Sequence, residues 1–231
     1  MTGTTIAERI ASVRSRIDAA TRRSGRQFGD VTLVAVTKNV ETPRIIEAIQ
    51  AGVSDCGENY VREALSKQRI LTDVSDTFRW HFIGHLQRNK AKDVAGRFAL
   101  IHSIDSLPLA RELGERSAQS GHEARVLLQV KLDSSQTKFG IEFDDIPRST
   151  ELALEIPGIK VVGLMGMAPF SDQPEDSRGC FRALRTAFDT LPAESRQILS
   201  MGMTADFEVA IEEGATLVRI GTAIFGPRIT Q

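Results

Sequence analysis

The chain has 231 residues, with 29 Lys and Arg against 30 Asp and Glu, a net charge of −1 and a pI near 6.4. That balance excludes a global field that would draw in nucleic acid or an anionic membrane surface, so an anionic ligand must be held by a local site. Cys56 and Cys180 lack metal-ligand spacing, no apolar run is long enough to cross a bilayer, and the start MTGTTIAERIASVRSRI lacks the apolar core of a signal peptide, which predicts a soluble, reduced, cytoplasmic protein.

In chain order, Ile6, Ile10, Val13, Ile17 and Ala20 recur at helical spacing behind Thr5 and Glu8, which are placed as a capping box. This amphipathic helix precedes the first strand, Val31 to Lys38, whose Leu33-Val34-Ala35-Val36 run suits a parallel strand covered on both faces. Thr42 is a candidate cap and Pro43 a candidate opener of a helix that Gly52 stops. Further strands are predicted near Val53 to Gly57, Arg79 to Gly84, Ala99 to Ile104, Arg125 to Leu132, Lys160 to Met165, Gln197 to Met201 and Leu217 to Gly221. Helical patterns alternate with them: Val61 to Ile70, a stretch after Leu86, Leu107 to Ser120, Ile146 to Glu155, Pro174 to Leu191 and Ala205 to Glu213. With eight alternations the chain suits a single (β/α)8 TIM barrel over residues 1–231, with an extra N-terminal helix. The second and seventh strands are short, and an open flavodoxin-like sheet is the alternative if either fails.

In such a barrel the chemistry gathers at the carboxyl ends of the strands, often with a phosphate held by the loops after strands seven and eight. Here the seventh strand runs into ILSMGMTADFE, where Ser200 offers a hydroxyl, Gly202 permits close approach and Thr204 is placed to cap a helix. The eighth runs through LVRIGTAIFG, where Gly221 and Thr222 open a short helix with amide donors suited to an anion. Barrel closure sets strand eight beside strand one, and so sets this cradle beside Lys38. A partly desolvated lysine at a strand end forms an imine with a carbonyl compound, and the phosphate cradle anchors one that carries a phosphate; pyridoxal 5'-phosphate meets both requirements. Arg219 shares the Gly221 face of its strand and would donate to a pyridine nitrogen, although an inward carboxylate from another strand would explain it equally well.

The runs AVTKN, GENYVREAL, WHFIGHLQRNKAK, SSQTKFGI, GLMGMAPF and LSMGMTADFEVAIEEGATLVRIGTAIFG, in that order, resemble the pyridoxal phosphate homeostasis protein family, which is similar to the barrel domain of alanine racemase without its second domain. The resemblance implies a fold-type-III barrel with pyridoxal phosphate on Lys38, phosphate contacts from Ser200, Gly221 and Thr222, Arg219 at the pyridine nitrogen, and Asn59 facing the cofactor. Thr37 and Thr204 stand where the family runs more usually have Ser, and Asn39 where they have Thr, so local hydrogen bonds at the cofactor's edge differ. The ending GPRITQ has no lysine, so properties tied to a lysine-rich terminus do not carry over.

A racemase needs an acid/base group on each face of the substrate, and Tyr60 is the one tyrosine in the chain. A guanidinium beside the ring leaves the nitrogen unprotonated and the ring a poor electron sink. The reading is therefore a carrier that holds and transfers pyridoxal phosphate, with apo-enzymes that require it as partners and a monomer as the expected state; a small amino-acid racemase is the alternative. Tyr60 reads first as a packing residue at a helix start. His81 and His85 are spaced by four on a strand-to-loop segment and do not reproduce a helical metal pair. Lys138 lies after strand five, where a mobile lysine could take up cofactor transiently, though a plain surface lysine explains it as well.

Overall fold

The computed structural model describes residues 4–72, 78–132 and 139–227. Helix α1 (Ile6–Arg23) opens with the capping box: Thr5 Oγ1 accepts from the Glu8 amide at 3.2 Å and Glu8 Oε2 accepts from the Thr5 amide at 2.8 Å. Its apolar stripe, Ile6, Ile10, Val13, Ile17 and Ala20, is buried.

The strands are β1 (Thr32–Val36), β2 (Asp55–Glu58), β3 (Arg79–Phe82), β4 (Leu100–Ile104), β5 (Ala124–Val130), β6 (Ile159–Gly166), β7 (Ile198–Ser200) and β8 (Leu217–Ile220). All pair in parallel in sequence order, and β1 closes on β8 with Ala35 opposite Ile220, which makes a barrel and removes the open-sheet alternative. Between them lie α2 (Thr42–Gln50), α3 (Val61–Ile70), α4 (Ala91–Val94), α5 (Leu107–Gln119), α6 (Ile146–Leu154), α7 (Arg178–Asp189), α8 (Phe207–Glu212) and α9 (Thr222–Phe225). Among the described residues no helix is long and apolar enough to cross a membrane.

Alternation along each strand builds two interiors. One, between strands and helices, is apolar and contains Ala35, Phe82, Phe181 and Phe207. The lumen contains an apolar layer of Val34, Leu100, Leu127, Val162, Met165 and Leu217, together with the buried polar residues Asp55, His81, His102, Ser200 and Arg219. In β6 the register against β5 slips after Val126, where Val161 and Gly163 face consecutive residues and Val162 is extra. Gly163 makes this bulge possible, because a Cβ there would lie 1.8 Å from the Ile198 carbonyl oxygen.

Several boundaries differ from the sequence reading. The first strand stops at Val36 because Lys38 and Asn39 turn the chain, with Asn39 at φ 57°, a left-handed conformation that asparagine tolerates better than most residues. Glu41 rather than Thr42 occupies the N-cap of α2, and Asp206 rather than Thr204 that of α8. The predicted helix from Pro174 begins as a 3-10 turn, Pro174–Ser177, before α7.

Candidate functional site at the carboxyl end of the barrel

The half-buried Lys38 sits in the turn between β1 and α2, and that turn is braced from below. Glu58, fully buried at the end of β2, accepts from Thr37 Oγ1 at 2.6 Å and from Lys67 Nζ at 2.8 Å. Lys67 also donates to the Thr37 carbonyl and to Glu63 Oε1, both at 2.6 Å, and Glu63 Oε1 accepts from the Asn39 amide at 2.6 Å. The residues flanking Lys38 are thus tied to α3 through one buried ammonium. Burial pushes the Glu58 carboxyl upward in pKa, while Lys67 and Thr37 pull it back. With its donors directed at three acceptors, Lys67 is no candidate nucleophile. Lys131 is likewise committed, to Glu142 at 2.9 Å.

Across the β1–β8 seam, a Cβ on Gly221 would meet Val36 at 3.3 Å, a tight contact that marks how closely the two strand ends approach. Thr222 is exposed at the start of α9, whose first amides have no intrahelical carbonyl to bond. Thr204, which the sequence reading treated as a cap, reaches this point instead: its Oγ1 is 3.5 Å from the Ala223 amide. Gly202, at φ 91°, lets the preceding loop pack on α8, where a Cβ would lie 2.6 Å from that of Ala210. Lys38, Gly221 and Thr222 therefore lie at the same, carboxyl end of the paired strands β1 and β8.

Below them Arg219, 4% exposed, donates through Nη1 to Ser200 Oγ and through Nη2 to the Gly166 carbonyl at 3.0 Å. The Ser200 hydroxyl is fully buried and also meets His102 Nδ1 at 2.9 Å, so its partners in this structure are Arg219 and His102. His102 Nε2 is 3.0 Å from His81 Nδ1, and His81 Nε2 is 2.9 Å from Asp55 Oδ1. At the opposite end of the barrel Arg79 grips Asp55 with two bonds of 2.7 Å. Asp55 is thus the carboxylate at the far end of this column, linked to Arg219 through three side chains rather than paired with it.

Burial pulls the Arg219 guanidinium down to about 10, against an opposing pull from Asp206, and it remains a cation at neutral pH. Burial alone would raise the Asp55 carboxyl, yet hydrogen bonds from His81, Arg79 and Ser54 hold it well below the ordinary carboxylate range. Burial, then the His81 and Arg219 charges, holds His102 well below its ordinary value of 6.5. A histidine depressed in the fold binds its proton more readily when unfolded, so stability is lost as pH falls below 6.5. Asp55 adds to this at lower pH, and Glu58, shifted the other way, opposes it above 4.5. The expected result is a fall in urea-unfolding free energy between pH 7.5 and 5.5, approaching about 1.4 kcal/mol per pH unit from the one His102 proton. His102→Gln removes that component; parallel pH profiles for the two proteins would contradict the assignment.

The remaining candidates lie around the rim. Asn59, just after β2, has a buried Oδ1 without a hydrogen-bond partner, and it lines two cavities of about 450 and 220 Å³ that also share His85. Neither cavity is lined by Lys38 or Arg219. Tyr60 is exposed, lines the larger cavity and is not packed in the core. His85 stacks on Phe139 and pairs with Asp105 at 3.1 Å, whereas His81 points into the lumen, so the two histidines face different surroundings. Lys138 lies outside the described residues. The sequence reading missed Glu58, Glu63, Lys67, His102 and Asp55; the available signals were the Glu63 and Lys67 spacing of four and a carboxylate within an otherwise buried strand.

The alanine racemase N-terminal domain family matches residues 9–228. The pyridoxal phosphate homeostasis protein of Aquifex aeolicus is 43% identical over 224 residues, covering 96% of this chain and 97% of its own. That of Pseudomonas aeruginosa is 40% identical, with coverage of 97% and 96%. The structure of PipY from Synechococcus elongatus PCC7942 with PLP bound superposes with a TM-score of 0.83 at 36% identity, covering 96% of this chain and all of that one (100%). Alanine racemase from Corynebacterium glutamicum, 17% identical with a TM-score of 0.66, shares the fold over 62% of its length. With two near-full-length relatives of one name and a family match across the barrel, the chain belongs to the pyridoxal phosphate homeostasis protein family, built on the alanine racemase N-terminal domain.

Proposed function

We propose that this protein binds pyridoxal 5'-phosphate at the carboxyl end of the barrel, with Lys38 as the covalent partner, and that it stores and transfers the cofactor rather than turning over a substrate. The observation that carries the reading is the convergence of the Lys38 turn, the Gly221–Thr222 helix start and the buried Arg219 cation at one strand seam. The donor set fits the group. The amides at the start of α9 suit a phosphate, Arg219 suits a ring nitrogen acceptor, and the unpartnered Asn59 Oδ1 suits a ligand donor. When bound, the cofactor supplies an aldehyde that condenses with a lysine amine and releases water. Thr222, Gly221 and Thr204 hold the phosphate, while Ser200 serves through Arg219. PipY with PLP bound, over the full length of the same fold, supports the ligand.

The carrier reading rests on Arg219, whose charge survives burial and leaves no proton to stabilise a carbanion on the ring. Within it the protein acts as a cytoplasmic monomer and passes cofactor to apo-enzymes that require it. Tyr60 on the rim is the one feature favouring a racemase. Loaded protein incubated with L- and D-alanine in heavy water is expected to give no α-deuteration above that of free pyridoxal phosphate; sustained exchange at an enzymatic rate would overturn the carrier reading.

Recognition of the phosphate is separable from recognition of the ring. Charge-assisted hydrogen bonds are worth roughly 1.5 to 3 kcal/mol each, so Thr222→Ala is expected to weaken pyridoxal phosphate by about tenfold or more while leaving pyridoxal almost unchanged. Ser200→Ala is expected to perturb both ligands, because Arg219 loses an acceptor. Paired fluorescence titrations with the two ligands check this; equal losses in the Thr222 variant would move the cradle elsewhere.

A further inference from the structure

The polar residues in the lumen form one column, and the bonding capacities of its ends fix every proton in it. Arg219 has donors only, so Ser200 Oγ accepts from it, and the single Ser200 hydrogen goes to His102 Nδ1. Neutral His102 then carries its proton on Nε2 and donates to His81 Nδ1. His81 in turn carries its proton on Nε2 and donates to Asp55, which has acceptors only and is also gripped by Arg79 and Ser54. The links climb the barrel by strand register: Asp55 and Arg79 are paired at the first positions of β2 and β3, and His81 lies two residues further along the same face. Arg219 is two residues beyond Leu217, which pairs with Ser200. The opposite proton order would leave the buried Ser200 hydrogen without an acceptor in the column, since a guanidinium cannot accept.

We propose that Asp55, His81 and His102 are positioning residues for Arg219, acting through Ser200: the column turns a Ser200 lone pair toward the guanidinium and so holds that buried cation in place. Arg219's service to the ring rests on the function proposed above; the proton order of the column does not. A merely space-filling role for His102 would tolerate any side chain of similar size. A positioning role demands one acceptor and one donor in series, which Gln supplies and Leu does not. Partly satisfied buried networks are costly because the stranded groups keep their desolvation penalty.

The test has two arms. In the ligand-free protein labelled with ring-15N histidine and 15N arginine, NMR at pH 7.5 is expected to find the His102 proton on Nε2 and not on Nδ1, and the Arg219 Nη atoms resolved by slow rotation. His102→Gln keeps the Nη signals resolved and His102→Leu merges them. In the second arm, His102→Leu is expected to weaken pyridoxal phosphate about five- to tenfold and shift the absorbance maximum of the bound cofactor. His102→Gln restores affinity to within about threefold. A proton on His102 Nδ1 would overturn the proposal, as would a His102→Leu protein with unchanged Nη signals, affinity and spectrum. Should wild type take up no pyridoxal phosphate, the proposed function fails while the wild-type tautomers, which need no variant and no ligand, still decide the column.

Discussion

Replacing Lys38 with alanine abolishes covalent retention of pyridoxal phosphate and leaves the barrel folded. The side chain stands in a turn beyond β1, half-buried, and the backbone on either side of it is held by bonds from the Asn39 amide to Glu63 and from Lys67 to the Thr37 carbonyl. With those bonds retained, the expected change in folding free energy is about 1 kcal/mol, the usual size for a single substitution. The cofactor's attachment is expected to be lost, because two lysines on this side of the barrel are committed elsewhere: Lys67 to Glu58, Glu63 and the Thr37 carbonyl, and Lys131 to Glu142. Weak noncovalent binding through the α9 cradle persists. Borohydride-trapped cofactor per chain, measured by mass spectrometry, is expected to fall to background, with a urea midpoint close to wild type. Wild-type levels of trapped cofactor in the variant would remove Lys38 from the site.

The largest effect on stability falls on Lys67. Its side chain is 8% exposed, and that of its partner Glu58 is fully buried (0%), so Lys67→Met leaves a carboxylate without its cation in the layer between β2 and α3. Breaking a buried pair from one side costs about 3 to 5 kcal/mol, because the stranded charge keeps its desolvation penalty. The Thr37 carbonyl loses its donor at the same time, and Glu63 its second bond, so the Lys38 turn loosens as well as the helix. Lys67→Met combined with Glu58→Met recovers part of the loss, since a well-packed apolar pair can replace an ion pair. Urea unfolding of wild type, both single variants and the double variant closes the cycle; strictly additive losses would contradict a coupled brace.

Much of this architecture is legible in the sequence because it rests on periodic patterns. The apolar runs of the strands, the capping box at Thr5 and the glycine stops are local signals, and eight alternations in parallel order leave a closed barrel as the simplest result. Closure then brings the end of β1, which leads into Lys38, beside the end of β8, which leads into Gly221, although most of the chain separates them. What stayed hidden depends on which lumen side chains share a height. Sequence alternation says that His81, His102, Ser200 and Arg219 face inward, yet only the stagger of the strands sets His102 between His81 and Ser200. For that reason Ser200 read as a phosphate ligand, while its hydroxyl lies beneath the cradle, bonded to Arg219, and Thr204 approaches α9. Lys67 was invisible for a different cause. A lysine on an amphipathic helix reads as solvated surface, and a buried carboxylate on the adjacent strand is needed to draw it inward.

The central claim, that one lysine at the β1–β8 seam carries the cofactor, is tested most directly by mapping. Wild-type protein is loaded with pyridoxal phosphate, reduced with borohydride, digested and analysed by tandem mass spectrometry. The pyridoxyl mass is expected on the peptide containing Lys38, at close to one per chain, with other lysines near background. A label found chiefly on Lys67, Lys131 or Lys138 would contradict it.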